Sequence, residues 1–155
     1  MATKTNAMRM LDQKKISYAL KEFPTDQKAY KYLHMSESQI FKTLVTTDTK
    51  KGYYVFVIPS DEELDLKKAA CAAGVKRIEM LKQKDLLPLT GYIHGGCSPI
   101  GMKKVFPTFI DTKALDLDTI VCSAGKVGML MEIDPRDIEK MVQAQFENVI
   151  KQKDK

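Results

Sequence analysis

Few residues in this chain are suited to metal binding or to disulfide bonds. It has three cysteines, Cys71, Cys97 and Cys122, two histidines and no tryptophan. The cysteines form no CxxC pair and the histidines show no metal-ligand spacing, so we expect neither a structural zinc nor any cofactor. An odd number of cysteines without a secretory leader pattern indicates a reducing compartment, and we expect a cytoplasmic protein.

The chain also lacks a long apolar segment. Its longest uninterrupted apolar run, residues 53–59, is far shorter than the roughly 20 residues that a membrane-spanning helix needs, so no membrane partner is expected. A length of 155 residues without repeats or linkers predicts one domain over residues 1–155. The net charge of +5 is compatible with a phosphate-rich partner, but the basic residues are scattered.

Local signals predict several helix boundaries. Asp65 and Asp134 are expected to cap helices, with Gly74 ending the first and Pro135 occupying the first turn of the second. Apolar residues at helical spacing predict that the second helix presents one face as far as Val149.

Short β-prone runs predict the remaining structure. Residues 41–47 and 53–58, joined by a polar linker that ends in glycine, predict a β-hairpin, and residues 92–94 are expected to form a strand. Further short strands are expected at residues 17–23, 109–111, 119–123 and 129–133. We therefore predict an α+β single domain with a curved, mostly antiparallel or mixed, barrel-like sheet flanked by helices.

The most informative stretch is a glycine-rich loop, residues 94–102. It holds three glycines and a proline within eight residues. Glycine accepts crowded or left-handed backbone and proline fixes its own φ, so main-chain N–H groups of such a loop can approach a ligand closely. The composition predicts a site for an anion or a carbonyl oxygen, although a tight turn without a ligand explains it equally well.

Four segments resemble, in order and spacing, the motifs of the YbaK/EbsC family, free-standing relatives of the editing domain of bacterial prolyl-tRNA synthetases. Residues 96–101, Gly-Cys-Ser-Pro-Ile-Gly, resemble the signature G-x-S-P-x-G. Residues 39–45, Gln-Ile-Phe-Lys-Thr-Leu-Val, resemble the x-v-f-K-T-L-v segment, and residues 106–111 and 123–128 fit the segments that follow the loop. The resemblance covers essentially the whole chain and implies an aminoacyl-tRNA editing domain.

The resemblance implies a trans-editing deacylase that removes cysteine from mischarged Cys-tRNA(Pro), with Cys-tRNA(Cys) as a further candidate. The cysteinyl thiol of the substrate is expected to attack its own carbonyl, a reaction classed as a lyase or a hydrolase step. Lys42 is the expected catalytic side chain, offering a point charge to ester oxygens or a nearby phosphate. Implied substrate contacts come from a pocket wall, the loop, the opposite side of the pocket and a strand end: Tyr18, Thr43, Gly96, Ser98, Pro99, Gly101, Ser123, Gly125 and Asp111.

Several alternatives stay open at this point. Cys97 could be a covalent nucleophile, because a thiol among amide donors can have a lowered pKa, but it occupies a variable position of the signature. His94 is expected to be a strand residue rather than a general base. Deacylation of another small aminoacyl-tRNA such as Ala-tRNA(Pro), or a non-catalytic module that binds tRNA or a synthetase, are the other candidate functions. The resemblance implies tRNA and prolyl-tRNA synthetase as partners, and DNA is not expected.

Overall fold

A computed structural model describes residues 4–152, which form two β-sheets with helices packed around them. The α-helices within that range are α1 (Asn6–Gln13), α2 (Ala29–Tyr32), α3 (Leu66–Ala73), α4 (Gln83–Thr90) and α5 (Pro135–Val142). The strands are β1 (Ala19–Glu22), β2 (Phe41–Thr47), β3 (Tyr53–Pro59), β4 (Glu79–Met80), β5 (Thr108–Asp111), β6 (Ile120–Lys126), β7 (Met129–Ile133) and β8 (Gln145–Glu147).

The predicted helix caps are confirmed. The Asp65 carboxylate accepts hydrogen bonds from the N–H groups of Lys67 and Lys68 at the start of α3, and Gly74 ends that helix in the left-handed conformation with φ of 72°. Asp134 caps α5 in the same way. Both helices therefore begin, and α3 also ends, where short-range chemistry dictates.

The two sheets differ in size and in strand direction. The smaller has the order β1-β7-β6 and is antiparallel, while the larger has the order β4-β2-β3-β5-β8 and is mixed, since β5 runs parallel to both β3 and β8. The predicted hairpin is present as β2 and β3, in register from the pair Phe41 and Pro59 to the pair Thr47 and Tyr53. The predicted α+β fold with a mixed sheet is confirmed, but the sheets do not close into a barrel.

Two local predictions were wrong. Residues 92–94 do not form a strand: residues 92–93 have no regular secondary structure and residues 94–95 form a turn, because the chain changes direction at Gly91 and again at Gly95, both with positive φ. The last helix ends at Val142, since Gln143 adopts φ of 53° and the following residues pair with β5 as strand β8. A parallel ladder to a distant strand satisfies the main chain there, which outweighs the helical spacing of the apolar residues.

The core is divided among three clusters of buried side chains. The largest lies between the two sheets, α1 and α5, and includes Phe41, Val57 and Ile110 of the larger sheet. The second lies between the larger sheet and α3. The third holds the glycine-rich loop against the larger sheet through Tyr92, Cys97 and Phe106. Within residues 4–152 no helix combines the length and the apolar character required to cross a membrane.

Candidate functional site

A cavity of about 300 Å³ is lined by both sheets and by the glycine-rich loop. Strand β2 supplies residues 41–44, the loop supplies His94, Gly95 and Cys97, and the smaller sheet supplies Ser123 and Leu130. The remaining walls come from other elements: Phe23, Ala29, Ile40, Ser60 and Leu86. Residues far apart in sequence thus meet around one space.

The cavity opens where β2 and β6 separate. An isolated parallel bridge joins Ile40 to Val121, and β6 makes no further ladder with β2 in the described part of the chain. Beyond that bridge no strand of the described chain fills the space between β2 and β6. The edge of β2 that faces β6 therefore forms one wall of the cavity.

The main chain of Thr43 lies on this edge. The N–H of Leu81 donates to the carbonyl oxygen of Val45 at 3.1 Å, which places the main-chain groups of Val45 on the side of β2 away from β3. Because these groups alternate in direction along an antiparallel strand, those of Thr43, two residues earlier, face the same side. Strand β4 covers only Thr46 and Thr47. Within residues 4–152 no strand pairs with Thr43 on that side.

The side chain of Thr43 adds a second unsatisfied group. Its Oγ1 atom is buried and has no hydrogen-bond partner among the described residues. Lys42, its neighbour, also lines the cavity, is partly exposed and forms no ion pair within residues 4–152. Buried hydroxyls in folded proteins are nearly always hydrogen-bonded, so this arrangement suits a polar ligand.

The glycine-rich loop satisfies some of its own N–H groups and leaves others available. The N–H of Gly96 donates to the carbonyl oxygen of Ile93, and that of Ile100 donates to Ser98 Oγ. The N–H groups of Gly95 and Cys97 form no hydrogen bond within the described residues. Both of these residues line the cavity, and the N–H groups of His94, Ser98, Gly101 and Met102 likewise form no hydrogen bond within the described residues.

Two loop glycines are required by close packing. A Cβ atom on Gly96 would lie 2.9 Å from the main-chain nitrogen of Val127, in the turn between β6 and β7. Gly101 has φ of 86°, and a Cβ atom there would lie 2.6 Å from the hydroxyl oxygen of Tyr92. The Tyr92 hydroxyl in turn donates to the carbonyl oxygen of Ile100 at 2.7 Å. These glycines build the loop rather than leave space for a ligand.

The structure brings three of the predicted site residues together at the cavity: Lys42, Thr43 and Ser123. Ser123 Oγ accepts a hydrogen bond from the N–H of Gly125, and Gly125 itself packs against the ring of Tyr92 and against Thr5.

The other loop positions predicted to contact substrate do not line the cavity. Gly96 and the fully buried Ser98 shape the loop behind it. Pro99 and Gly101 line a separate small space beside Met10 and Val142.

Tyr18 and Asp111 are also placed away from the cavity. Tyr18 packs against the largest core cluster and lines a groove with Thr119 and Glu132. Asp111 is 1% exposed, and its two carboxylate oxygens accept from the N–H groups of Lys113 and Val149 at 3.0 Å each. The Asp111 carboxylate thus ties the end of β5 to the C-terminal part of the chain.

Phe23 lines the cavity and was not predicted to do so. It is the aromatic residue of this part of the chain that reaches the site, five positions after Tyr18. Its only sequence signal was its place at the end of a predicted strand, directly before Pro24. That signal marks a strand end and carries no information about a cavity.

Burial raises the pKa of the Cys97 thiol to about 12, and a hydrogen bond with Thr90 offsets only part of that effect. The thiol therefore stays protonated at neutral pH, the opposite of the environment that activates a cysteine nucleophile. Among residues 4–152, no cluster of three or more His, Cys, Asp or Glu side chains is placed to hold a metal ion.

Comparisons with known proteins identify relatives of the whole chain. Residues 21–141 match the family described as the aminoacyl-tRNA editing domain. The chain is 47% identical over 152 residues to EbsC of Enterococcus faecalis, which carries the provisional name Cys-tRNA(Pro)/Cys-tRNA(Cys) deacylase; the match covers 94% of this chain and 93% of that protein.

Two further matches are more distant. A proline–tRNA ligase of Shouchella clausii is 27% identical over 110 residues, which are 71% of this chain and 19% of the ligase. A solved structure, described as a proposed trans-editing enzyme for prolyl-tRNA synthetase, superposes with a TM-score of 0.84 at 22% identity, covering 97% of this chain and 100% of the other. At that identity the superposition supports the fold alone.

Proposed function

This chain belongs to the aminoacyl-tRNA editing domain family, and we propose that it is a deacylase that removes cysteine from Cys-tRNA(Pro), with Cys-tRNA(Cys) as a second substrate. Similarity to EbsC along nearly the full length of both chains supports this activity. The observation that carries the proposal is the cavity itself. It is lined by Lys42, by the unpaired edge at Thr43, and by Gly95 and Cys97, whose N–H groups form no hydrogen bond within the described residues.

The substrate supplies the nucleophile in the proposed reaction. The cysteinyl sulfur attacks the carbonyl carbon of its own ester, a C–S bond forms, and the C–O bond to the ribose breaks. The thiol proton ends on the released ribose oxygen, so a cysteine thiolactone and free tRNA are the products. The protein then has to fold the cysteinyl group into a reactive conformer, which is catalysis by proximity.

Lys42 and the main-chain donors stabilise the negative charge that develops on the carbonyl oxygen. A fixed cation and fixed N–H groups cost no reorganisation when the charge appears. Thr43 Oγ1, buried and unpartnered, is the group we assign to a polar atom of the aminoacyl group. Ser123 closes the opposite side of the cavity.

Cys97 has no covalent role in this mechanism. Its thiol lines the cavity, but with a pKa of about 12 it is almost entirely protonated near pH 7. A serine or cysteine nucleophile also needs an activating base, and the hydroxyl of Ser98 is fully buried and already accepts from Ile100.

Recognition of the tRNA body is assigned to a partner. The basic residues are scattered along the chain. Scattered positive charge gives affinity for nucleic acid without selecting a sequence. Similarity to a segment of a proline–tRNA ligase supports the proposal that prolyl-tRNA synthetase is that partner, and a cytoplasmic location belongs to the same proposal.

The test uses tRNA(Pro) charged with cysteine, alanine or serine. We expect release of cysteine and little release of serine, whose hydroxyl is a weaker nucleophile than a thiol. Lys42→Ala should lower kcat by about 10²–10³-fold, the range measured for removal of one preorganised donor. Cys97→Ala should retain most activity, and Lys140→Ala, an exposed charge on α5, serves as the matched control for lysine removal.

Three outcomes would contradict the proposal. Loss of cysteine release in Cys97→Ala, with an unchanged circular dichroism spectrum, would make Cys97 the nucleophile. Preferential release of alanine would show that the substrate is Ala-tRNA(Pro) rather than Cys-tRNA(Pro). Release of no amino acid would favour a binding module.

A further inference from the structure

A second cavity, of about 410 Å³, adjoins the first at Phe23, which lines both. It is formed by residues 22–25, Tyr32 and residues 126–129, and we call it the outer groove. Strand β7 contributes Leu130 to the first cavity and Met129 to the outer groove.

Two more elements contribute to both spaces. Helix α2 supplies Ala29 to the first cavity and Tyr32 to the outer groove. The β6–β7 hairpin supplies Ser123 to the first and its turn, residues 126–128, to the second. The two spaces are therefore neighbours along every segment that forms the outer groove.

The wall between them is held in place by the main chain. The N–H of Phe23 donates to the carbonyl oxygen of Gly128 at 3.0 Å, which fixes the β6–β7 turn against the segment after β1. On its other side the same turn packs on Gly96 of the loop, so closely that a Cβ atom there would lie 2.9 Å from Val127. The outer groove thus has a fixed position relative to the loop donors.

The exposed groups of the outer groove suit a nucleoside better than a peptide or a lipid. Tyr32 is 46% exposed and Val127 is 39% exposed, so an aromatic residue and an aliphatic residue of the groove are both accessible to solvent. Glu22, Thr25 and Lys126 provide both hydrogen-bond donors and acceptors at the rim. Aromatic faces ringed by polar groups are typical of proteins that bind unpaired bases.

We propose that the outer groove holds the 3′-terminal nucleoside of the aminoacylated tRNA, with its base stacked on Tyr32. This inference rests on the proposed function, because an aminoacyl ester joins the amino acid directly to the terminal ribose. When the acyl group occupies the first cavity, the ribose lies at its edge and the base lies within one nucleoside of it. The outer groove is the neighbouring space that shares a wall residue with the acyl cavity.

The first experiment compares two esters of cysteine, one to adenosine and one to ethanol. Wild-type protein should cleave cysteinyl-adenosine with the higher kcat/KM. Tyr32→Ala should reduce this preference by about 5- to 150-fold, equivalent to about 1–3 kcal/mol for one stacked base. Tyr32→Phe keeps the ring and should keep the preference, while Lys140→Ala on α5 controls for any surface substitution.

The second experiment measures binding without cleavage. The uncharged trinucleotide CCA is titrated into wild-type protein and into Tyr32→Ala, and amide chemical shifts are followed by NMR. We expect shifts at residues 22–25 and 126–129 in the wild type and weaker binding of the variant.

The outcomes separate the two proposals. Shifts in the outer groove without cleavage of any ester would reject the deacylase activity and support the nucleoside site. Cleavage of cysteinyl-adenosine with an unchanged preference in Tyr32→Ala would reject the nucleoside site and leave the activity. An equal loss of kcat/KM for both esters in Tyr32→Ala would also reject the nucleoside site, since the Tyr32 ring would then support the folded structure rather than contact the base.

Discussion

The buried hydroxyl of Thr43 allows a direct test of whether the edge of β2 is built for a ligand. Thr43→Val replaces a hydroxyl by a methyl group on a side chain of nearly the same shape and the same β preference. Three residues along the strand, Thr46 provides the matched control, because its Oγ1 donates to the carbonyl oxygen of Tyr54 at 2.9 Å. One variant removes an unpaired hydroxyl and the other removes a paired one.

The two hydroxyls predict opposite changes in stability. An unsatisfied buried polar group costs about 1–3 kcal/mol, so Thr43→Val should raise the free energy of unfolding by about 1 kcal/mol. Thr46→Val loses a hydrogen bond worth about 0.5–1.5 kcal/mol and should lower it by a similar amount. The difference of about 2 kcal/mol corresponds to about 4–8 °C in Tm for a domain of this size.

The deacylase activity should fall in Thr43→Val, the variant expected to gain stability, and should hardly change in Thr46→Val. Loss of one hydrogen bond to the substrate, about 1.4 kcal/mol, lowers kcat/KM about tenfold in Thr43→Val, while Thr46→Val should stay within about twofold of wild type. Urea unfolding followed by circular dichroism and release of cysteine from Cys-tRNA(Pro) measure the two effects. Equal destabilisation by both substitutions, or full activity of Thr43→Val, would refute the assignment of Thr43 to the substrate.

Two further predictions concern the loop and its anchor. Gly101→Ala and Gly74→Ala place alanine at similar positive φ values, 86° and 72°, but only the first brings a Cβ atom within 4 Å of other groups. In urea unfolding we expect Gly74→Ala to lower the free energy of unfolding by about 1 kcal/mol and Gly101→Ala to lower it by about 2 kcal/mol more. Equal losses would contradict the packing found at Gly101. Burial raises the pKa of Tyr92 from 10.0 to about 12, so the folded protein holds a proton that the unfolded chain releases, and the free energy of unfolding should fall as pH rises from 10 to 12. Tyr92→Phe should make that decline less steep without abolishing it, because burial also raises the pKa of the Cys97 and Cys122 thiols from 9.0 to about 12. A slope equal to that of wild type would show that Tyr92 does not contribute.

Short-range chemistry explains which parts of the fold could be predicted. The caps at Asp65 and Asp134 and the stop at Gly74 depend on residues within one turn, and the sequence shows them all. Strand β8 depends on a ladder with β5, more than thirty residues earlier, and on a left-handed Gln143 that no propensity favours. Helical spacing alone could not reveal that competition.

The residues of the candidate site also fall into those that the sequence could predict and those that it could not. Lys42, Thr43 and Ser123 were found because they belong to contiguous motifs, and all three line the cavity. Phe23 belongs to no such motif, and its place at the cavity depends on how the segment after β1 packs against the β6–β7 turn. Asp111 lies within a motif, yet its two hydrogen bonds to the main chain show that a residue fixed by a motif can serve the fold.

The separation of β2 from β6 explains why one wall of the cavity is an unpaired strand edge. Had the two strands continued to pair beyond Ile40 and Val121, the main chain of Thr43 would join a ladder and the space would close. Each buried group left unpaired instead costs free energy, and an unpaired strand edge is also prone to pair with other chains. In the proposed deacylation, a bound acyl group that accepts hydrogen bonds along this edge takes the place of a pairing strand. The split between β2 and β6 would then both cost stability and supply hydrogen-bond donors to the proposed substrate.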